Sequence, residues 1–413
     1  MGKALLVASK SNAAISSGQE TNLFGYSAAN ATEANLQASC TEAATFSALG
    51  ANIIAGNSGT ATIRFRDAGA NGNNVIAITG VAAGEDTTHT DVLAAADLFN
   101  LAYTDTGTNS TPAWLKANVE FTSGHGNFHG RMDGDGVVHD AESGTRFLAL
   151  AGNIGADGST SEAAQAWKVR GYDSFEALQV RVTANARTNT SSFRNRIASA
   201  NGTLLVEFAA SATGLVSDTG PADAITDGQI VCASITLGTG IEDLTVSLVL
   251  ATLKSTTSKS ETFAGRQAGT ARTASAVANY IAPGGDIVSL TALTEAQARV
   301  KVGFAAVVSN LRCYLSANTY ASNGTLKLYQ NGVAVITTTL TASGGAAWYE
   351  NASDTITIDA DDELSLEFDE GGASGSATIT LAGLTFAPVA GGAAFIKMVG
   401  NNFRLAGRGG LAS

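Results

Sequence analysis

Much of the chain alternates apolar and polar residues with a period of two, the pattern of strands with one face in a core and one turned outward. Ile63 and Phe65 alternate with Arg64 and Arg66, and Leu178, Val180 and Val182 alternate with Gln179, Arg181 and Thr183. Leu364, Leu366 and Phe368 alternate with Glu363, Ser365 and Glu367; after a Gly-rich turn, Ile379 and Leu381 alternate with Thr378 and Thr380. With 46 glycines against 4 prolines, and much Ala, Thr, Ser and Asn, the chain reads as pleated strands joined by tight turns.

A short string then recurs three times. It runs Glu33-Ala34, Gln37 and Phe46-Ser47-Ala48-Leu49; then Glu162-Ala163, Gln165 and Phe175-Glu176-Ala177-Leu178; then Glu295-Ala296-Gln297 and Val308-Ser309-Asn310-Leu311. The step from Glu to Phe or Val is 13 residues each time, and the copies start 129 and 133 residues apart. Each string is followed by an Asn-Gly pair, Asn71-Gly72, Asn201-Gly202 or Asn331-Gly332, expected as a hairpin turn. An acidic turn comes next, containing Asp97, Asp227 or Asp362. A shared internal spacing at this period marks a tandem repeat.

The 413 residues divide accordingly into an N-terminal arm (1–23), a first unit (24–121), a connector (122–146), a second unit (147–253), a connector (254–279), a third unit (280–388) and a C-terminal basic tail (389–413). The second connector carries Lys254, Lys259, Arg266 and Arg272 against Glu261. The tail carries Lys397, Arg404 and Arg408 and no acid, and is expected to dock on something else, with an acidic flank of a neighbouring copy as the candidate.

Net charge of −12 argues against nucleic-acid binding, which needs a basic face to displace counterions. No run of 18 apolar residues suggests a membrane span, and the start lacks the apolar segment of a signal peptide, so a cytoplasmic origin is expected. Cys40, Cys232 and Cys313 cannot all pair, and Cys313 alternates with Leu311 and Leu315 as a buried thiol would.

Candidate chemistry concentrates in the first connector. Asp133, Asp135 and Asp140 are the candidate metal ligands, with His125, His129 and His139 as an imidazole alternative. The spacing fits no EF-hand, and the intervening glycines fit no helical zinc motif, so a connector without an ion is the expected reading. In residues 350–370 nine acids cluster, and a turn whose Asp caps its own backbone, followed by an exposed acidic strand, is favoured there over a calcium site around Asp359, Asp361 and Asp362. No nucleophile elbow, phosphate loop, paired-cysteine site or helical His pair occurs, and a carboxylate pair in a cleft is the enzymatic alternative that stays open. The expectation is a non-catalytic protein with no cofactor, because polar positions differ between copies while structural ones recur.

These features together resemble the β-sandwich modules of structural proteins in tailed bacteriophages. The third unit carries the resemblance best, in Tyr280, Thr294-Glu295-Ala296-Gln297, Ser309-Asn310-Leu311, Asn331-Gly332 and Ala360-Asp361-Asp362-Glu363-Leu364. The second keeps Ser161-Glu162-Ala163, and the first Ala95-Ala96-Asp97-Leu98. The resemblance implies an all-β chain of three tandem antiparallel jelly rolls with extended arms, and a place in the virion. It implies other virion proteins as partners, the major capsid protein or tail components, with self-assembly possible. A capsid decoration or cement protein is the leading expectation, and a tail, neck or fibre component the alternative. A carbohydrate-binding adhesin using Trp114, Trp167 and Trp348 as stacking platforms is the reading from another class.

Overall fold

The alternating segments become strands, and six long strands recur in each third of the chain. The computed structural model describes residues 3–9, 14–26, 29–107, 109–122, 125–139, 144–151, 159–240, 242–273, 279–287, 293–371 and 374–389. The first repeat contains β1 (Ala4–Ser9), β2 (Ala44–Ala55), β3 (Thr60–Asp67), β4 (Ala70–Thr79), β5 (Leu98–Asp105) and β6 (Thr111–Phe121). The second contains β7 (His125–His139), β8 (Ser174–Asn185), β9 (Ser191–Ile197), β10 (Ala200–Phe208), β11 (Ile230–Leu237) and β12 (Leu244–Ser255). The third contains β13 (Ser260–Thr273), β14 (Ala306–Asn318), β15 (Gly324–Gln330), β16 (Val333–Leu340), β17 (Glu363–Asp369) and β18 (Ser376–Pro388).

One sheet of each repeat has the order β1-β6-β2, β7-β12-β8 or β13-β18-β14; the other has β5-β3-β4, β11-β9-β10 or β17-β15-β16. The pairings are antiparallel except where Ala8 meets Gly25 and Ala264 meets Gly285. Short pieces extend the edges, so the sheets hold six and five strands in the first repeat and five and five in each of the others, more than a simple eight-stranded roll.

Three expectations are corrected here. The N-terminal segment, expected as an arm or a first strand, is no free arm: β1 is a strand that pairs along its whole length with β6. The segments read as connectors contain strands: β7 pairs with β12, and β13 with β18. Their irregular, Gly-rich sequence hides the period-two signal, since both strands carry register breaks, at Met132/Val137 and Gly265/Thr270. The Asn-Gly pairs are not all turns. The positive-φ turn residues are Ala68-Gly69, Ala198-Ser199 and Asn331-Gly332, so the first two Asn-Gly pairs lie inside β4 and β10. Gly72 and Gly202 serve close approach instead: a Cβ there would lie 2.8 Å from the Asp91 carboxylate and 2.3 Å from the Asn195 amide.

The repeated Glu has a structural role. Glu33 accepts from Arg66 on β3 (3.0 Å), Glu162 from Arg196 on β9 (3.0 Å) and Glu295 from Ser365 on β17 (2.7 Å), tying the segment before each central strand to the fold; Glu295 also accepts from Arg299 of its own segment at 2.7 Å. Two of the acidic turns close as expected of Asp caps: Asp97 Oδ2 accepts from Ala94 N at 2.7 Å, and Asp362 Oδ2 from Asp359 N at 2.8 Å; in the second repeat Gln229 Oε1 takes that role, accepting from Thr226 N at 2.8 Å, and Asp227 pairs with Arg170 instead.

Each repeat closes its core with residues borrowed from another. Leu5 and Val7 of the first repeat join the third repeat's core; Phe128, Leu248 and Leu250 of the second join the first's; Phe263, Tyr314 and Leu381 of the third join the second's. The order is cyclic, so the repeats form a closed ring of head-to-tail contacts. The initial strands β1, β7 and β13 touch one another where the repeats meet.

Candidate functional site: the junctions between repeats

Alternation predicts that Gln179 and Arg181 face outward on β8, and they do leave the second repeat's core. Yet they are only 1% and 8% exposed, because the first repeat covers that face. The equivalent outward faces of the other repeats are covered in the same way, and this makes three junctions. Ser39, Lys168 and Lys301 occupy equivalent points on the receiving side, spaced 129 and 133 residues apart. Their main-chain carbonyls accept one long side chain each: Ser39 O from Gln179 Nε2 (2.6 Å), Lys168 O from Arg312 Nε (2.9 Å) and Lys301 O from Lys116 Nζ (2.7 Å).

Gly50, Gln179 and Arg312 share that same spacing, so the first repeat has no side chain where the others have their donor. Lys116, opposite Gly50 on β6, supplies it by passing over the glycine, where a Cβ would lie 2.8 Å from Lys116 Cε. In the third repeat the relation is inverted, with Gly383 opposite Arg312.

The junction between second and third repeats is the most polar. Arg312 and Glu261 are both fully buried, with Nη2 2.6 Å from Oε1. Arg312 also donates to Asn310 O (3.0 Å) and Thr385 Oγ1 (3.2 Å) and lies 4.8 Å over the Phe263 ring. Glu261 Oε1 accepts from Arg170 N at 2.6 Å, and Tyr172 accepts from Glu261 N at 2.7 Å. Burial raises the Glu261 carboxyl above the usual carboxylate range, against the pull of Arg312. Nearer the surface, Arg170 grips Glu350 through Nε–Oε1 (2.6 Å) and Nη2–Oε2 (2.7 Å), with Lys168 Nζ at 2.9 Å. Burial alone would raise the Glu350 carboxyl, but the hydrogen bonds from Arg170 and Lys168 outweigh it and bring it to about 2.

At the junction of first and third repeats, buried Lys116 pairs with Glu85, and Lys301 Nζ reaches Glu85 at 3.2 Å and Asp361 at 2.8 Å. The junction of first and second repeats relies on the Gln179 amide, on Arg181 donating to Gln37 O at 3.1 Å, and on Lys254 with Glu42 at 2.9 Å. These groups are ties, because each except exposed Asp361, whose partner Lys301 lies in the same repeat, is committed to a partner across a junction. Sequence reasoning passed over Lys116, Glu261 and Arg312. Their signal was the aligned column of Gly50, Gln179 and Arg312, where a strand position changes from nothing to a long polar donor between copies.

The sequence-predicted candidates divide differently. Asp133 and Asp135 lie on β7 within its register break, with side chains outside the described residues, and Asp140 also lies outside them. His125 begins β7, and its side chain too lies outside the described residues. His129 and His139 are buried. His129 Nε2 lies 2.8 Å from the Tyr172 hydroxyl, and burial first, then Arg312, lowers the imidazole to about 3. Among the described residues no three His, Cys, Asp or Glu side chains come together as metal ligands. Trp114 and Trp167 are buried, so the adhesin reading loses two of its three stacking platforms; Trp348 is partly buried and packs at 5.5 Å from Tyr314. Cys40, Cys232 and Cys313 are free and buried.

No protein-family model and no curated sequence matches the chain. Among solved structures it is similar to a chain of infectious bursal disease virus, Gx strain, with 11% identity, 88% of this chain and 75% of that one covered, and a TM-score of 0.18. It is also similar to the infectious bursal disease virus VP2 subviral particle (8% identity, 85% and 74% covered, TM-score 0.15). A third similarity is to a Paenibacillus xanthan lyase (11% identity, 82% and 50% covered, TM-score 0.15). At these TM-scores the likeness does not extend to a shared arrangement of strands.

Proposed function

We propose that the chain is a non-catalytic structural protein of a virion, acting as a decoration or cement protein on the head of a tailed bacteriophage. The observation that carries this reading is the closed ring of three repeats joined by equivalent contacts. Such a body has approximate threefold character in one polypeptide, and it suits a local threefold where neighbouring capsomers meet. The resemblance of the repeat motifs to phage β-sandwich modules supports the same assignment.

The mechanism is mechanical. A rigid ring laid across a seam removes apolar area on its neighbours from water, at about 25 cal/mol per Å². The internal ties keep the ring from yielding when the shell is stressed. Its partners are then the major capsid protein or adjoining shell components, and its location is the assembled particle. Imaging of purified particles tests the assignment. Density for this chain on the head shell at local threefolds is expected; density confined to the tail or neck, or none in the particle, would overturn it.

A further inference from the structure

The three junctions are equivalent, but one of them is left open. Thr41, Arg170 and Gly303 occupy the same point, again 129 and 133 residues apart. Arg170 fills the junction of second and third repeats, held by Glu350 at 2.6 and 2.7 Å and by Asp227 at 2.7 Å. Thr41 fills the junction of first and second, 3.0 Å from Thr252, with the Lys254–Glu42 pair beside it. Gly303 has no side chain, and a Cβ there would lie 2.5 Å from Asn118 Nδ2; beside it a cavity of about 480 Å³ opens between the first and third repeats.

The carboxylates around the missing guanidinium are nevertheless present. Glu85 faces Gly50 as Glu350 faces Arg312, so the two acids are equivalent. Asp361 lies in the turn that corresponds to the one containing Asp227. Lys301 bridges Glu85 and Asp361 where Lys168 holds Glu350, and buried Lys116 gives Glu85 its second cation, so what is missing relative to the second and third repeats' junction is a guanidinium beside Asp361, where Asp227 has Arg170. Glu120 adds a third carboxylate to the wall, against Lys3 and Lys301.

We propose that this groove is the docking site of the chain's own C-terminal segment, 390–413, and that an arginine of that segment takes the place Arg170 has in the second repeat. Val389 N donates to Ala305 O at 3.0 Å, so the described chain ends two residues from Gly303. The 24 residues that follow contain Lys397, Arg404 and Arg408 and no acid. At about 3.3 Å per extended residue, Arg404 and Arg408 have ample reach to the groove. Gly407, Gly409 and Gly410 let the backbone lie close to a wall. The proposal does not depend on a place in a virion.

The test is trypsin cleavage after Arg404 and Arg408 in the full chain, followed by mass spectrometry beside a free peptide of residues 390–413. Cleavage at least about tenfold slower in the full chain is expected, a ratio equal to about 1.4 kcal/mol of protection. The variant Glu120→Gln/Asp361→Asn, at surface positions outside the buried ties, should lose most of that protection. In a second arm, Arg404→Gln/Arg408→Gln should speed hydrogen exchange at Thr45–Ala48, which line the groove. Cleavage at the peptide's rate, equal protection in the groove variant, or unchanged exchange in the tail variant would each overturn the proposal. So would protection that rises with chain concentration, which would move the contact to a second copy.

Discussion

Replacing Arg312 by Met tests whether the ring is held by its buried ties. The substitution keeps much of the side chain's length and leaves Glu261 fully buried without its cation. Breaking one partner of such a pair costs about 3–5 kcal/mol, because the remaining charge must be neutralised or kept unpaired away from water. The Lys168 and Asn310 carbonyls lose their donor as well. Urea unfolding followed by tryptophan emission suits the measurement, since Trp167 stacks on Phe263 at 4.8 Å, directly beneath Arg312. The pH dependence has a definite sign. The Glu261 carboxyl is already raised in the fold, so the folded chain binds more protons than the unfolded one just above the ordinary carboxylate range, and stability falls as pH rises through that window. Loss of Arg312 raises it further, so the variant should lose more at neutral pH than at about pH 5. The double variant Glu261→Leu/Arg312→Met should return to within about 1 kcal/mol of the parent. A loss below about 1 kcal/mol in the single variant, or the same loss at both pH values, would refute the reasoning.

Acid should act on the same junction from its outer side. Glu350 is held down to about 2, so the stability it contributes is complete above the ordinary value of 4.5 and is lost as pH falls toward 2. Melting temperature against pH should therefore fall in that interval and be flatter in Glu350→Gln; matching curves would refute the assignment. The three thiols should resist a thiol reagent in the native chain and react fully in denaturant, since burial raises all three and brings Cys40 to about 12. Rapid native labelling would contradict their placement. Gly80→Ala and Gly332→Ala should each cost about 1–2 kcal/mol for a left-handed Cβ. Gly332→Ala should cost more, because its Cβ would lie 2.4 Å from Arg299 Nη2, while Gly80 has nothing within 4 Å. Equal losses in a denaturation assay would remove the role given to the Arg299–Glu295 tie.

The strands that face a core on one side were legible in the sequence, because β3 and β15 bury Ile63 and Phe65, and Leu326 and Leu328, with a clean period of two. The initial strands were not. β7 carries four glycines and a register break, and β13 has Glu261 and Thr262 buried where apolar residues would announce a core. Both sit where three repeats meet, so neither side of the strand is solvent and alternation loses its meaning. The Asn-Gly pairs misled for a related reason. Glycine is required at Gly72 and Gly202 by side chains arriving from Asp91 and Asn195, a tertiary cause with the same sequence signature as a turn. The repeat itself was legible, and with it the alignment that locates every junction.

Three identical sandwiches meeting head to tail would have to use the same contact three times. A single chain removes that constraint, and the junctions have used the freedom. One donor position is met by Lys116, Gln179 or Arg312, yet each reaches the equivalent carbonyl, so the geometry of the ring outlasts the chemistry of its ties. The polar pairs are therefore better understood as fixing which faces meet than as the main source of cohesion, which comes from the borrowed core residues such as Phe128 and Phe263. Burying each of those rings is worth roughly 1.5–3 kcal/mol, comparable to an intact buried tie and without its desolvation cost. Divergence at Thr41, Arg170 and Gly303 then has a consequence that a true trimer could not show. It marks one junction of the three as different, the one where a cavity of about 480 Å³ opens among the described residues.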